Sequence, residues 1–172
     1  MKILKHIVTL MIVGFLGAGH AFADGTFYLL RHAEKQKDGT NNPHLTQQGR
    51  QRANNLAQQL SRANITKIYS TDYHRTIETV EPLSQLVGVA VEFYNPSNLK
   101  EFAERLKGET GQIVIVGHSN TTPALVAMLG ELSVEAMDED EYENMYQVVL
   151  LDDKAVINQF RIFPIKDQIN VQ

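Results

Sequence analysis

Three apolar runs in this chain each break off into residues that can do chemistry, and this arrangement constrains the fold more than any other feature. The first is Thr26-Phe27-Tyr28-Leu29-Leu30, which runs straight into Arg31-His32. The second, Lys67-Ile68-Tyr69-Ser70, feeds Thr71-Asp72-Tyr73-His74-Arg75-Thr76. The third, Gln112-Ile113-Val114-Ile115-Val116, ends in Gly117-His118-Ser119. The first and third runs, uncharged and of this length, suit strands covered on both faces, as in a parallel sheet, and the second reads as a shorter strand. In open α/β sheets, ligands bind at the carboxyl ends of such strands.

Helical patterns alternate with these runs. Leu45-Thr46-Gln47-Gln48-Gly49 opens a first helix with Thr46 as N-cap, and Ala53, Leu56, Ala57 and Leu60 mark its buried face. Gly49 weakens the first turn, which points to a close backbone approach there. A second helix carries Arg75 in its first turn and runs to about Leu86, with Pro82 expected to kink it or end it early. Val89–Phe93 is a further strand. Asn98-Leu99-Lys100-Glu101 reads as a capping box opening a third helix, and Leu99, Phe102, Ala103 and Leu106 form its apolar face. Pro123 suits the first turn of a fourth helix, which Gly130 stops. The acidic run Asp138–Glu143 reads as a solvated loop or helix start. Strands over about 147–152 and 156–163, turning at Asp153-Lys154, close the chain as an antiparallel hairpin, and residues 166–172 read as a tail.

The N-terminus has a separate character. Lys2 and Lys5 precede an apolar stretch from Ile7 to Phe15, and Ala21-Phe22-Ala23 is an A-x-A cleavage pattern. The apolar stretch is short for a membrane span, and no basic stop-transfer cluster follows. Residues 1–23 are therefore expected to be a signal peptide cut after Ala23, and 24–172 a single exported, periplasmic domain with no membrane span. The whole chain carries a formal charge of −4; the two leader lysines removed, the remainder carries −6. That balance argues against nucleic acid as a partner. The absence of cysteine excludes disulfides, thiolate metal sites and a lipoprotein anchor.

With strands alternating with helices, the three strand ends lie on one side of a mostly parallel sheet and bring Arg31, His32, Arg75 and His118 together. Two guanidiniums beside helix N-termini match a dianion with several acceptor oxygens, and phosphate is the obvious fit. Neighbouring positive charge lowers a histidine's pKa, and the neutral imidazole is the nucleophilic form. The second histidine can donate to the oxygens that hold charge in the transition state. No zinc or two-metal pattern of histidines and aspartates stands at ligand spacing, so no metal or cofactor is called for. The loop from Glu34 to His44 forms part of the rim. Lys35 and His44 could touch a substrate or simply be solvated, and His74 reads as a surface or packing residue.

The combination Leu30-Arg31-His32-Ala33-Glu34, Leu45-Thr46-x-x-Gly49, Ser70-x-x-x-x-Arg75-Thr76-x-x-Thr79-x-x-Pro82 and Gly117-His118-Ser119 resembles the histidine phosphatase superfamily, which includes phosphoglycerate mutases. The likeness runs from about residue 26 to residue 163. It implies a three-layer α/β/α sandwich around a mostly parallel mixed sheet of about six strands, with one antiparallel edge strand. It further implies His32 as nucleophile and phosphohistidine, Arg31, Arg75 and His118 as phosphoryl clamp, a small phosphorylated substrate, and no metal cofactor. One departure concerns the leaving-group acid. Glu101 falls near the place of the mutases' glutamate, but the long segment normally following it is missing, and capping already accounts for it. Ser119 stands where the phytase-like branch has an aspartate. The implied reaction is phosphomonoester hydrolysis. Its alternatives are a protein phosphohistidine phosphatase, whose leaving group needs no strong acid, and a non-catalytic phosphate-binding module. Specificity is expected in residues 34–44, 94–99 and 131–145, where no motif is readable.

Overall fold

The computed structural model describes residues 25–151 and 154–163. The expected leader, the 153–154 turn and the tail lie partly or wholly outside the described residues. Six strands form one sheet in the order β3-β2-β4-β1-β5-β6. They are β1 (Gly25–Arg31), β2 (Ile65–Ser70), β3 (Val91–Phe93), β4 (Gly111–Gly117), β5 (Asn144–Leu151) and β6 (Lys154–Arg161). Four helices accompany them: α1 (Gln47–Leu60), α2 (His74–Val87), α3 (Leu99–Lys107) and α4 (Thr121–Gly130). No described helix is long and apolar enough to cross a membrane.

Strand alternation decides the layers, because successive side chains point to opposite faces. Ile113 and Ile115 of β4 join Phe27 and Leu29 of β1 in a core with Phe102 and Leu106 of α3 and Leu125 and Leu129 of α4. Val114 and Val116 join Leu30 in the opposite core, against Leu56 and Leu60 of α1 and Val80 and Leu83 of α2. Both faces of the central strands are covered, which is why their sequences are apolar without alternation.

β1, β2, β3 and β4 are mutually parallel, β5 runs antiparallel to β1, and β6 runs antiparallel to β5. The expected antiparallel edge strand is thus one place further in: β5 lies beside β1, and the edge position belongs to β6. The closing hairpin is long enough to pair all eight residues of each strand, so its second strand is carried beyond the first.

Thr46 caps α1 as the sequence predicts, its Oγ1 accepting from Gly49 N at 3.0 Å. A Cβ on Gly49 would collide with the Glu34 carbonyl oxygen, so the glycine marks the close approach of α1 to the loop after β1. Two local expectations are corrected: an early end to α2 and a capping box at α3. Pro82 does not end α2, which continues to Val87 and stops at Gly88 in the left-handed conformation (φ 72°). Burial of Thr79, Val80 and Leu83 around the proline holds the helix together. The Asn98–Glu101 capping box does not form either: Asn98 makes no side-chain cap bond. Asn95 instead caps a 3-10 turn at Pro96–Asn98 that leads directly into α3, its Oδ1 accepting from Ser97 N at 2.9 Å. Asn98 N, one of the donors the box would serve, already donates to Asn95 O at 3.1 Å within that turn.

Candidate active site

The strand register creates the site. Arg31 pairs with Gly117 across the parallel β1–β4 ladder, and His32 N donates to Gly117 O at 3.0 Å. The residues immediately after these, His32 and His118, therefore leave adjacent strands at the same level. Their rings meet edge to face, centroids 5.6 Å apart. On the other side of β4, Ser70 pairs with Val116, so the turn from Thr71 to Tyr73 starts beside His118 and delivers Arg75 in the first turn of α2. Gly117 is required at this crossing, because a Cβ would stand 2.6 Å from Thr121 Oγ1 and 2.7 Å from the Tyr94 hydroxyl.

Two threonines lock α2 in place. Thr76 Oγ1 donates to backbone carbonyls of the preceding turn, at 2.8 Å to Thr71 and 2.9 Å to Tyr73. Thr79 Oγ1 accepts from Ala33 N at 2.9 Å and donates to Arg75 O at 2.6 Å, joining the loop after β1 to the helix. Glu34 is also structural. Its carboxylate forms a two-point pair with buried Arg52 of α1 at 2.5 and 3.0 Å.

His32 is 2% exposed. Its Nδ1 lies 2.8 Å from Ala33 O. A carbonyl can only accept, so Nδ1 carries the hydrogen and Nε2 keeps the lone pair. Burial, with smaller contributions from Arg31, His118 and Arg75, lowers the His32 pKa to about 3, outweighing the opposing bond to Ala33. Desolvation is thus the main cause, ahead of the neighbouring charge on which the sequence argument relied. His118 is lowered to about 4, first by burial and then by Arg75, Arg31 and Lys35. Its Nε2 stands 2.9 Å from Thr71 Oγ1, and its Nδ1 faces Arg75 at 3.5 Å.

Arg31 and Arg75 are held from outside the sequence motifs. The Arg31 guanidinium lies 4.4 Å over the Tyr142 ring and donates to Asp138 O at 2.8 Å and Glu141 O at 3.3 Å. It also pairs with Glu139 at 3.3 Å. Glu139 in turn accepts from Ser119 Oγ at 3.0 Å. The acidic run is a loop with exposed side chains at 138–140, as expected, and its backbone carbonyls also wall the site. A guanidinium with 1% side-chain exposure needs acceptors, and these carbonyls supply them. Arg75 lies 4.4 Å over the Tyr73 ring, which meets His118 edge to face. Arg31 Nε and Arg75 Nε are both buried and without a partner among the described residues. Residues 131–145 are expected near the site, but no motif there singles out Tyr142 or Glu139 as partners of Arg31. Tyr73, two residues before Arg75, was within reach of the motif but carries no spacing rule of its own.

Glu101 lies exposed in the first turn of α3. It lines a shallow depression with Ser97, Asn98, Leu99, Lys100 and Glu104. The pocket at His118 is bounded by Tyr73, Arg75, Pro96, Ser97, Asn120 and Thr121, so the two hollows share Ser97. Lys35 is half-buried at the base of the 34–44 loop, where it bridges to Leu45. His44 and His74 turn away from the clamp and meet each other and Glu78, a grouping that no sequence spacing showed because His44 comes from a separate loop.

Known proteins share this architecture. A structure described as mycobacterial hydrolase 2 superposes with a TM-score of 0.63 at 13% identity, covering 83% of this chain and 93% of its own. The protein histidine phosphatase SixA complexed with tungstate gives 0.64 at 15% identity, covering 81% and 97%. Phosphoserine phosphatase from Entamoeba histolytica, in complex with 3-phosphoglyceric acid, gives 0.60 at 16%, covering 80% and 96%. At these identities the likeness establishes the fold. No curated protein matches by sequence. Residues 27–104, which hold Arg31, His32, Arg75 and Glu101 but stop short of His118, match the family model of the histidine phosphatase superfamily (branch 1). The strand-end motifs and the phosphoglycerate mutase-like sheet agree with that match, which makes the chain similar to the histidine phosphatase superfamily over 78 of its 172 residues.

Proposed function

We propose that this enzyme hydrolyses a phosphomonoester through a phosphohistidine on His32, with Arg31, Arg75 and His118 clamping the phosphoryl group. The observation that carries this is the state of His32. It is buried, kept neutral, and held by Ala33 O in the tautomer that leaves Nε2 basic, beside two guanidiniums with unpartnered Nε atoms. In the first step the Nε2 lone pair forms a bond to phosphorus as the bond to the leaving oxygen breaks, and that oxygen takes up a proton. In the second step water adds to phosphorus, the P–N bond breaks, and Nε2 recovers its lone pair as inorganic phosphate departs. The guanidiniums neutralise the equatorial oxygens without any metal in the chemistry. A bound dianion favours protonation of His118, whose Nδ1 then donates to it, with Nε2 anchored on Thr71.

Arg31 must exchange Glu139 for the substrate. Glu139 is 81% exposed on its side chain, so this ion pair is weak and displaceable. Phosphate offers two-point acceptance in its place.

A second reading is a protein phosphohistidine phosphatase. It is favoured by the carboxylates around the clamp: among the described residues the one in direct contact with it is Glu139, which Arg31 and Ser119 already engage. A phosphoramidate leaving group needs little help from an acid. Glu101 is the candidate donor for monoesters, and Glu101→Gln tests it: a loss confined to poor leaving groups identifies the donor. We further place the reaction outside the cytoplasm on the strength of the leader pattern, which the mass of the mature chain would test.

The deciding experiment measures turnover of a phosphomonoester panel and of a phosphohistidine peptide, in EDTA, with His32→Ala as control. Monoester turnover that disappears in His32→Ala supports the first reading. Phosphohistidine turnover alone supports the second. Full activity in His32→Ala overturns both.

A further inference from the structure

We propose that His44, His74 and Glu78 form a site for one divalent cation of the zinc type, separate from the phosphoryl clamp, that clips the 34–44 loop to the start of α2. His74 and Glu78 stand four residues apart on α2 and so share a face. His44 is brought onto that face by the end of the loop. The His44 and His74 rings stack with centroids 4.3 Å apart and an interplanar angle of 14°. His44 Nδ1 is in ion-pair contact with Glu78 Oε1. One ligand atom from each of the three residues lies within 4.8 Å of the others. Ligand atoms on a tetrahedral zinc ion stand roughly 3.4 Å apart, so a small rotation of exposed side chains completes the set.

The surroundings support a ligand role. Glu78 Oε2 accepts from Leu45 N at 2.8 Å, which fixes the carboxylate as an outer-shell bond fixes a metal ligand. Asn42 Oδ1 accepts from His74 N at 2.8 Å, tying the same loop to the same helix turn. Glu81 lines the cleft that His44 and Glu78 share and adds negative charge, against Arg50 as the cation there. Two imidazoles and one carboxylate select a borderline cation over magnesium or calcium, and three protein ligands leave a position for water. Both histidines are exposed, so the ion can enter directly. It does not touch the reacting groups, since Arg75, the next residue after His74, turns towards His118. Its effect is to hold the loop whose Asn41 carbonyl accepts from Arg75 at 3.5 Å.

The test uses the full chain stripped with a chelator and then dialysed free of it. Zinc chloride is titrated by calorimetry and by competition with a chromogenic chelator, without substrate, so the result does not depend on the phosphatase reading. One equivalent should bind, the Tm should rise by several degrees, and His44→Gln and His74→Gln should each weaken binding by more than about tenfold. Both substitutions are at exposed positions, and circular dichroism checks their folding. His32→Ala should bind zinc as the unaltered chain does. No saturable binding, binding in either glutamine variant as tight as in the unaltered chain, or loss in His32→Ala alone would overturn the site; the last would place the ion in the clamp.

Discussion

His74 and Arg75 are neighbours in the chain and serve different sites. Arg75 turns inwards to half-buried His118 and buried His32 at the strand ends. His74 turns outwards to His44 and the exposed pair on the rim. The two pairs have the same imidazoles and opposite surroundings. His32 and His118 meet at 5.6 Å among guanidiniums, and burial keeps both neutral. His44 and His74 meet at 4.3 Å beside a carboxylate, open to water. A neutral imidazole flanked by cations suits the proposed attack on an electrophilic anion. The same group flanked by a carboxylate in water suits the proposed cation site. Environment, rather than residue type, assigns the chemistry.

The sharpest way to break the comparison is to remove one member of each pair. His32→Ala should lower kcat by at least about 10³-fold, because the proposed nucleophile has no substitute. His44→Gln, assayed in EDTA, should stay within about threefold. Equal losses would mean that the rim takes part in the chemistry. Arg75→Ala should cost about 10²-fold in kcat/KM, as loss of one charge-stabilising donor does, and Arg75→Lys should recover only part of it, since lysine keeps the charge but not the fork.

A third test reads the clamp's side of the comparison through pH. Folded His32 binds its proton only near pH 3, against about 6.5 when unfolded. As pH falls from 6.5, the unfolded chain takes up protons that the folded chain does not, so stability drops down to about pH 3 and is flat above 6.5. The full span for His32 alone is on the order of 5 kcal/mol. Denaturant titrations at pH 7 and pH 4 should therefore differ less in His32→Gln than in the unaltered chain. The smallest effect concerns the wall of the clamp. Glu139→Gln releases Arg31 from its exposed partner and should raise kcat/KM by about twofold to fivefold, read in KM rather than kcat. A fall instead would make Glu139 part of the catalytic set.

The clamp was largely legible in the sequence and the rim was not. Arg31, His32 and His118 follow apolar runs directly, and Arg75 starts a helix just after a third, so local pattern was enough to place all four at strand ends. Thr46 and Gly49 were legible for the same reason, since capping and close backbone approach act within a few residues. Pro82 and the Asn98–Glu101 box misled because tertiary packing and the neighbouring 3-10 turn outweigh those local preferences.

From its own pattern, the chain determined an α/β fold, the alternation that covers both faces of the central strands, and the four polar residues where those strands end. Each of these depends on interactions over a few residues or on simple periodicity. Tertiary structure alone decided that β4 lies between β1 and β2, which sets His32, His118 and Arg75 around one point. It also decided that the acidic run folds back 107 residues to hold Arg31, and that His44 reaches Glu78 across 34. Contacts at such separations leave no periodic trace, because they are fixed by the register of the sheet and by the need of a buried guanidinium for acceptors.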